Sequence, residues 1–274
     1  MNRPSTLLRF AKTFLILVAL TCALAALMYA SFVAGAFYPE NVFPKFNYLR
    51  QSNSSLSPEP LPEKLQNIRR ILIIGDSITV LGSRPRGFIT LLRDYLALAY
   101  PAQKIEILNG GQRSETSQDM LKRLASEIRT NKPDLLLLCA GTKAVVKSVN
   151  PQDYIANVLA MLDQAKKLQL PAMIVSLPLT AESPFYKSSL EFNKVLRKLA
   201  VEKQVDFIDV GTPLGLMVNE YRKATGVEDK IMTVDGTHLS AAGQRILANT
   251  ILTELGVTTS VRNKVISEGG STDF

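Results

Sequence analysis

The sequence predicts a doubly wound α/β domain with a central five-stranded parallel sheet over residues 68–257. The first observation is that short apolar runs alternate with helical patterns along this stretch. The second is that three of the five runs contain almost no polar residue, as expected of strands that are covered on both faces. Such alternation favours right-handed crossovers, and ligands then bind at the carboxyl ends of the strands.

Each element follows from its own pattern. The predicted strands, which are rich in Ile, Leu and Val, are Ile71–Ile74, Ile105–Leu108, Leu135–Leu138, Met173–Leu177 and Val205–Ile208. The predicted helices, which have apolar residues at helical spacing, are Phe88–Ala99, Gln118–Arg129, Asp153–Gln169, Ser189–Lys203 and Ala241–Leu255. A long connection, Gly211–Val234, contains a further helical stretch near Leu216–Lys223 and is a candidate lid.

The N-terminal region predicts a transmembrane helix over residues 13–37. The chain carries no charge from Phe14 to Phe37, which is longer than the roughly 20 apolar residues that a spanning helix needs. Arg3, Arg9 and Lys12 precede this run, and the positive-inside rule keeps them in the cytoplasm. The rest of the chain is therefore expected on the extracytoplasmic side of the membrane.

An alternative for the same region is a cleaved signal peptide, because Ala34-Gly35-Ala36 fits a small-x-small cleavage site. The predicted organisation is a cytoplasmic segment at 1–12, the anchor, and a linker at 38–67 that is rich in Pro, Ser and Asn. The α/β domain follows, and residues 258–274 form a tail. After cleavage the protein would be secreted rather than anchored.

Composition narrows the possible partners. The chain has 274 residues and a formal charge of +8, but its basic residues are scattered and it contains no Trp. Nucleic-acid binding is not expected, because it requires a basic stripe with stacking aromatic residues. With 2 Cys and 1 His, the usual ligand set of a structural zinc site is missing, and no metal or other cofactor is predicted. Cys22 lies in the apolar run and Cys139 in a predicted strand, so no disulfide is expected.

The first candidate functional residue is Ser77, in Gly75-Asp76-Ser77 directly after the first predicted strand. A serine at a strand-to-loop turn exposes its hydroxyl and is surrounded by backbone N–H groups, which suits a nucleophile. Asp76 and Ser77 are also suited to cap the helix that follows. From this fragment alone, both interpretations stay open.

The second candidate is His238, the single histidine of the chain. A serine nucleophile needs a base, and that base needs an acceptor on its other ring nitrogen to fix the tautomer. Asp235 lies three residues before His238 in a tight loop, so it is the expected acceptor. Asp209, at the end of the fifth predicted strand, is interpreted as a turn or cap residue.

Together these fragments resemble the GDSL/SGNH hydrolases. Gly75-Asp76-Ser77 is similar to the first block of that family, and Asp235-x-x-His238 to its last. Asn109–Ser117 resembles the block Asn-x-x-x-x-Gly-x-Thr, and Gly141-Thr142-Lys143 stands where the family has Gly-x-Asn. The four blocks have the family's order, and each follows a predicted strand.

The resemblance covers about residues 69–255 and implies a three-layer α/β/α, flavodoxin-like domain. It implies that Ser77 is the nucleophile, His238 the general base and then the general acid, and Asp235 the carboxylate that orients the imidazole. It also implies an oxyanion hole made by the backbone N–H of the serine, a backbone N–H of the second block and a side-chain amide of the third.

Two residues depart from the pattern of the family at the oxyanion hole. Ser114 replaces the glycine of the second block, which leaves a backbone donor in place unless the position needs a positive φ. Lys143 replaces the asparagine of the third block, so that a flexible ammonium stands where a fixed amide is expected. Losing one oxyanion donor costs about 10²–10³ in turnover. The charge of Lys143 favours the oxyanion and disfavours the imidazolium of His238, and the sequence leaves the balance open.

The resulting hypothesis is a membrane-anchored, extracytoplasmic serine hydrolase that cleaves acyl or acetyl esters through an acyl-enzyme on Ser77. Its expected partners are an ester-bearing small molecule, a lipid or an envelope glycan, and the membrane through the N-terminal helix. One alternative is a weakened relative that binds an envelope polymer, which Ser114 and Lys143 motivate. Another is an acyltransferase, in which a sugar hydroxyl rather than water resolves the acyl-enzyme. No oligomeric state is predicted.

Overall fold

The computed structural model of the chain describes residues 60–259. A short 3-10 turn, Glu63–Leu65, precedes the first strand. The strands are β1 (Arg70–Gly75), β2 (Glu106–Gly111), β3 (Leu135–Cys139), β4 (Ala172–Val175) and β5 (Asp206–Ile208). The helices are α1 (Ser77–Leu81), α2 (Phe88–Ala99), α3 (Ser117–Asn131), α4 (Thr142–Val146), α5 (Pro151–Lys167), α6 (Tyr186–Lys203), α7 (Gly211–Thr225) and α8 (Ala241–Glu254).

The sheet contains the five predicted strands, all parallel, in the order β2-β1-β3-β4-β5. Because β1 lies inside the sheet with β2 on one side and β3 on the other, the direction of winding reverses between β1 and β3. In open parallel sheets such a reversal leaves a crevice outside the carboxyl ends of the strands. The crevice here is bordered by Gly75 and Cys139, which end β1 and β3 and pair with each other in register.

Helices cover both faces of the sheet, which confirms the predicted three-layer arrangement. On one face α2 packs against α8, and on the other α3 packs against α5. Apart from its first residue, β1 is buried throughout, and so are the first four residues of β3. One core cluster includes Leu72, Ile74, Leu136, Leu138, Met120, Leu124, Tyr154, Val158 and Phe192. Full burial of each such aliphatic side chain stabilises the fold by about 1.5–3 kcal/mol.

Some boundaries differ from the prediction. β2 continues to Gly111, because Gly110 and Gly111 pair with Ile74 and Gly75 of β1, so the second block begins inside the strand rather than after it. The helices α1 and α4 have five residues each. Five residues are too few for an apolar period to show in the sequence, so α4 was not predicted, and α1 was anticipated only through the capping interpretation of Asp76 and Ser77.

The predicted membrane segment at 13–37 lies outside the described residues, as do the predicted cytoplasmic segment, most of the linker and the tail beyond residue 259. Between residues 60 and 259, no helix is both long enough and apolar enough to cross a membrane. Leu65, inside the segment predicted as linker, is fully buried. The last linker residues therefore contribute to the core.

Candidate active site

Ser77 is the first residue of α1, immediately beyond the carboxyl end of β1. Asp76 is the N-cap of this helix, and its Oδ1 accepts a hydrogen bond from the N–H of Ile78 at 3.1 Å. A Cβ at Gly75 would lie 2.1 Å from Oγ1 of Thr79, so only glycine allows α1 to start this close to the strand. The capping interpretation is thus correct for Asp76, whereas Ser77 is the first helical residue and not the cap.

The structure brings Ser77 and His238 together. Oγ of Ser77 lies 3.1 Å from Nε2 of His238, although the two residues are 161 positions apart in the sequence. Nδ1 of His238 lies 2.6 Å from Oδ2 of Asp235. An ionised carboxylate only accepts hydrogen bonds, so Nδ1 carries the proton and Nε2 presents a lone pair to the serine hydroxyl.

Asp235 is held in its ionised form. Partial burial alone raises its pKa, but hydrogen bonds from the side chain and the backbone of His238 and from the N–H of Thr237 outweigh this effect and lower the pKa to about 2. The two backbone N–H groups donate to Oδ1 at 2.7 and 2.8 Å. The carboxylate therefore stays charged at any pH at which an imidazole is neutral.

A compact loop, residues 231–240, carries Asp235 and His238 to the serine. Thr233 and Leu239 form an antiparallel bridge across it, and the N–H of Val234 donates to the carbonyl of His238 at 2.9 Å. Ser240 ends the loop as the N-cap of α8, where its side chain accepts from the N–H of Gly243. The last residue of the loop therefore also caps the first turn of α8.

Lys143 is tied to the nucleophile through its backbone. Its N–H donates to Oδ2 of Asp76 at 3.0 Å, so the first and third blocks share one carboxyl group. Asp76 is 1 % exposed, and this burial raises its pKa, while the hydrogen bonds from Ile78 and Lys143 oppose the rise. The side chain of Lys143 is half-buried, and its Nζ makes no hydrogen bond or ion pair with residues 60–259.

Ser114 is exposed and has a φ of 65°, the left-handed region that glycine adopts most easily. The second block is braced around it by Arg123, which contacts both carboxylate oxygens of Glu115 and donates to the carbonyl of Gly110 at 2.6 Å. Lys147 lies 3.5 Å from the carbonyl of Ser114. Within residues 60–259, no hydrogen bond joins Ser114 to Ser77 or His238.

Other predictions can be placed as well. Asp209 accepts from the N–H and the hydroxyl of Thr212 and pairs with Arg197, so its interpretation as a turn residue is correct. Among the described residues, no group of His, Cys, Asp and Glu is arranged to hold a metal ion.

Two side chains hold the site together in ways that were not predicted from the sequence, although Asn109 was recognised there as the first residue of the second block. Asn109 donates to the carbonyl of Thr79 at 3.0 Å and to the hydroxyl of Ser83 at 2.6 Å, and so fastens α1 to β2. Glu182 is buried and accepts hydrogen bonds from residues 231–233. The available signal was that Glu182 is the only charged residue between Lys167 and Lys187, since an isolated charge in an apolar segment is buried only when it is paired.

Residues 73–246 match the family described as GDSL-like lipase/acylhydrolase. The chain belongs to this family. The match spans more than half of the chain and includes all four blocks, and it confirms the resemblance inferred from them.

Individual relatives are distant. A curated acetylxylan esterase of Geobacillus stearothermophilus is 24% identical over 218 residues, which cover 70% of this chain and 96% of the relative. The crystal structure of an acetyl xylan esterase, AlAXEase, has a TM-score of 0.62 and 21% identity, covering 67% of this chain and 98% of its own. The structure of Axe2, an acetylxylan esterase from Geobacillus stearothermophilus, has a TM-score of 0.61 and 23% identity, covering 70% and 95%. At these identities the solved structures establish the shared fold.

Proposed function

We propose that this chain is a serine esterase that hydrolyses acetyl and other short acyl esters through an acyl-enzyme on Ser77. The observation that carries the proposal is the continuous hydrogen-bonded series from Ser77 through His238 to Asp235. This geometry supplies a nucleophile, a base within hydrogen-bonding distance of it, and an ionised acceptor that orients the base. Membership of an acylhydrolase family supports the same chemistry.

In the first step, Oγ of Ser77 attacks the ester carbonyl while Nε2 of His238 takes the hydroxyl proton. Asp235 stabilises the imidazolium that forms, because its Oδ2 accepts a hydrogen bond from the N–H at Nδ1, with 2.6 Å between the two heavy atoms. His238 then gives its proton to the departing alcohol, leaving an acyl-enzyme. Water, deprotonated by the same imidazole, releases the acid and regenerates the serine.

The tetrahedral intermediates carry a negative oxygen that needs donors. The backbone N–H of Ser77 is one, because the first residue of a helix has no carbonyl partner within it. We assign the other two donors to the backbone N–H of Ser114 and the ammonium of Lys143. Lys143 then takes the place of the amide expected in the third block, with charge compensating for a less fixed geometry.

The enclosed space beside α1 is small. A cavity of about 20 Å³ is lined in part by Ile78, Cys139, Thr142 and Leu177, and its volume is close to that of one water-sized site. Neither Ser77 nor His238 lines this cavity, so the acyl group is inferred from the relatives rather than from this space. The thiol of Cys139 does not compete as a nucleophile, because burial raises its pKa. Relatives named as acetylxylan esterases favour an acetyl group carried by a glycan.

The sequence supports an extracytoplasmic location for this activity, with residues 13–37 as a membrane anchor. The uncharged run behind Arg3, Arg9 and Lys12 is the basis of this part of the proposal. The test is to express the full chain with a C-terminal epitope and to treat spheroplasts with protease. Epitope loss in intact spheroplasts, with the protein in the membrane fraction after alkaline washing, is expected. Protection of the epitope contradicts this placement.

The activity is tested with the full-length chain and its S77A variant on p-nitrophenyl acetate and acetylated xylo-oligosaccharide. Hydrolysis by the wild type alone, with a fluorophosphonate adduct mapped to Ser77 by mass spectrometry, is expected. Absence of labelling from pH 6 to 9 excludes the esterase and favours the binding-protein alternative. Transfer of acetyl to an added glycan, in preference to release of acetate, identifies an acyltransferase instead.

A further inference from the structure

Glu182 is a buried carboxylate outside the hydrogen-bonded series of the active site. It lies in the segment between β4 and α6 and is 7 % exposed. The segment is anchored to α6, because Asn193 binds the backbone N–H and carbonyl of Leu177 at 2.7 and 3.0 Å. It is also internally braced, since the N–H of Ser183 donates to the carbonyl of Thr180 at 2.9 Å. The carboxylate is thus held on a fixed support.

Within the described part of the chain, the hydrogen-bond partners of this carboxylate are all on residues 231–233. The N–H groups of Ile231, Met232 and Thr233 donate to it at 2.7, 3.0 and 2.8 Å, and the hydroxyl of Thr233 donates at 2.7 Å. Consecutive backbone N–H groups that converge on one anion form a nest. Met232 and Thr233 are buried, so loss of the acceptor leaves donors that water does not readily reach.

The nest connects directly to the turn that carries the base. While the hydroxyl of Thr233 donates to Glu182, its oxygen accepts from the N–H of Gly236 at 3.2 Å. Gly236 also packs on the backbone of Glu182: its φ is 90°, and an added Cβ would lie 3.0 Å from the Glu182 carbonyl oxygen. Asp235 and His238 lie on either side of this contact.

The internal hydrogen bonds of the loop fix the position of His238 relative to Asp235, but not relative to Ser77. Asp235 and His238 are three residues apart and move together, whereas Ser77 lies on α1. Among the hydrogen bonds that join the 231–240 loop to the rest of residues 60–259, those donated to the carboxylate of Glu182 are the ones with a charged acceptor. The distance from His238 to Ser77 is therefore expected to depend on this carboxylate.

We propose that Glu182 is a positioning residue that sets the distance between the imidazole of His238 and the hydroxyl of Ser77 by anchoring the nest at residues 231–233. It acts through the loop and does not contact substrate. The expected loss of kcat rests on the proposed esterase function. The effect of Glu182 on the distance between His238 and Ser77 does not depend on turnover.

The kinetic test uses the full-length chain with four single substitutions. E182Q replaces an acceptor oxygen with a donor, and T233V removes the hydroxyl that links Glu182 to Gly236. T233S retains that hydroxyl and is the conservative rescue. D134N is the matched control, because Asp134 also accepts two backbone N–H bonds, from Arg69 and Arg70 at 2.7 and 2.9 Å, but at the opposite end of the sheet.

E182Q and T233V are expected to lower kcat and the rate of fluorophosphonate labelling about 10–100-fold, the scale of a small misplacement of a reacting group. KM is expected to change less than about twofold, and T233S and D134N to stay within about threefold of wild type. All rates are measured well below the melting temperature of each variant. Equal losses in T233V and T233S, or in E182Q and D134N, overturn the proposal because they indicate general destabilisation.

A second measurement does not require activity. Because His238 is the only histidine of the chain, protein labelled with ¹³C-histidine and purified without a polyhistidine tag gives one imidazole signal. Adding S77A to the wild type is expected to shift this signal, because His238 loses its contact with Ser77. Adding S77A to E182Q or to T233V is expected to shift the signal much less, because His238 no longer reaches Ser77 in those variants. An equal shift in all backgrounds overturns the proposal. If the wild type neither turns over nor labels at Ser77, the proposed esterase fails while this cycle still decides the role of Glu182.

Discussion

The two sides of Ser77 are built in different ways. On one side, His238 and Asp235 lie on a loop held by its own backbone bonds and by the buried carboxylate of Glu182. On the other, Ser114 is exposed in a left-handed conformation and Lys143 presents a flexible side chain. In the proposed mechanism, proton transfer therefore depends on fixed hydrogen bonds, whereas stabilisation of the oxyanion depends on backbone N–H groups and on the side chain of Lys143. Substitutions on the two sides should therefore differ in how strongly they lower kcat and in how many replacements the site tolerates.

The largest effects are expected on the proton-transfer side. S77A and H238A should each lower kcat about 10⁴–10⁶-fold, and the double variant no further, since the residues act as a unit. D235N should lower kcat about 10⁴-fold, because an amide favours the wrong imidazole tautomer. V234A is the control, as Val234 is 67 % exposed on the same loop. Steady-state kinetics on p-nitrophenyl acetate measure these values, and a D235N enzyme within tenfold of wild type would contradict the assigned role.

The next effect concerns the cation. K143M removes the donor but retains much of the side-chain length, and it should lower kcat about 10²–10³-fold with a small change in KM, as for loss of one oxyanion donor. K143N restores an amide and should remain within about tenfold of wild type. If K143M matches wild type, Lys143 does not touch the oxyanion. If K143N gains strongly, the lysine impairs the site.

The backbone donor of the second block can be tested separately. S114P removes the N–H and forces φ to about −65°, so it should lower kcat about 10²-fold. S114G keeps the donor and suits the φ of 65°, and it should leave kcat within about threefold of wild type. Circular dichroism of both variants verifies folding. Wild-type activity in folded S114P would remove Ser114 from the oxyanion hole.

The smallest effect is a dependence of stability on pH at Asp76. Burial raises the pKa of this carboxyl in the folded state above its unfolded value near 3.8. The contribution of Asp76 to the free energy of unfolding is therefore fully present at a pH below the unfolded pKa, and it is lost as the pH rises through the folded pKa. Asn stays neutral, so the melting temperature of D76N relative to wild type should rise from pH 3 to pH 7. Each kcal/mol corresponds to about 2–4 °C at this size. A constant difference across this range would show that burial does not shift Asp76.

Much of the fold and part of the site could be predicted from the sequence. Runs such as Leu135–Leu138 indicated strands covered on both faces, and the rule that sites lie at the carboxyl ends of such strands placed Ser77 near His238. Glu182 could not be assigned in this way, because its partners lie about 50 positions away and no periodic pattern encodes a contact at that separation. The start of α1 at Ser77 was left open between two interpretations, because a five-residue helix is determined by its cap and its tertiary contacts rather than by an apolar period.

The antiparallel bridge between Thr233 and Leu239 has a consequence for protein engineering. It makes residues 231–240 a compact loop that carries both Asp235 and His238, so this loop is a unit for transplantation into another α/β scaffold. The recipient must offer an acceptor where Glu182 stands. Without one, the three backbone donors of the nest would lose their partner at about 1–3 kcal/mol each, and the graft would bring the correct residues without the correct placement.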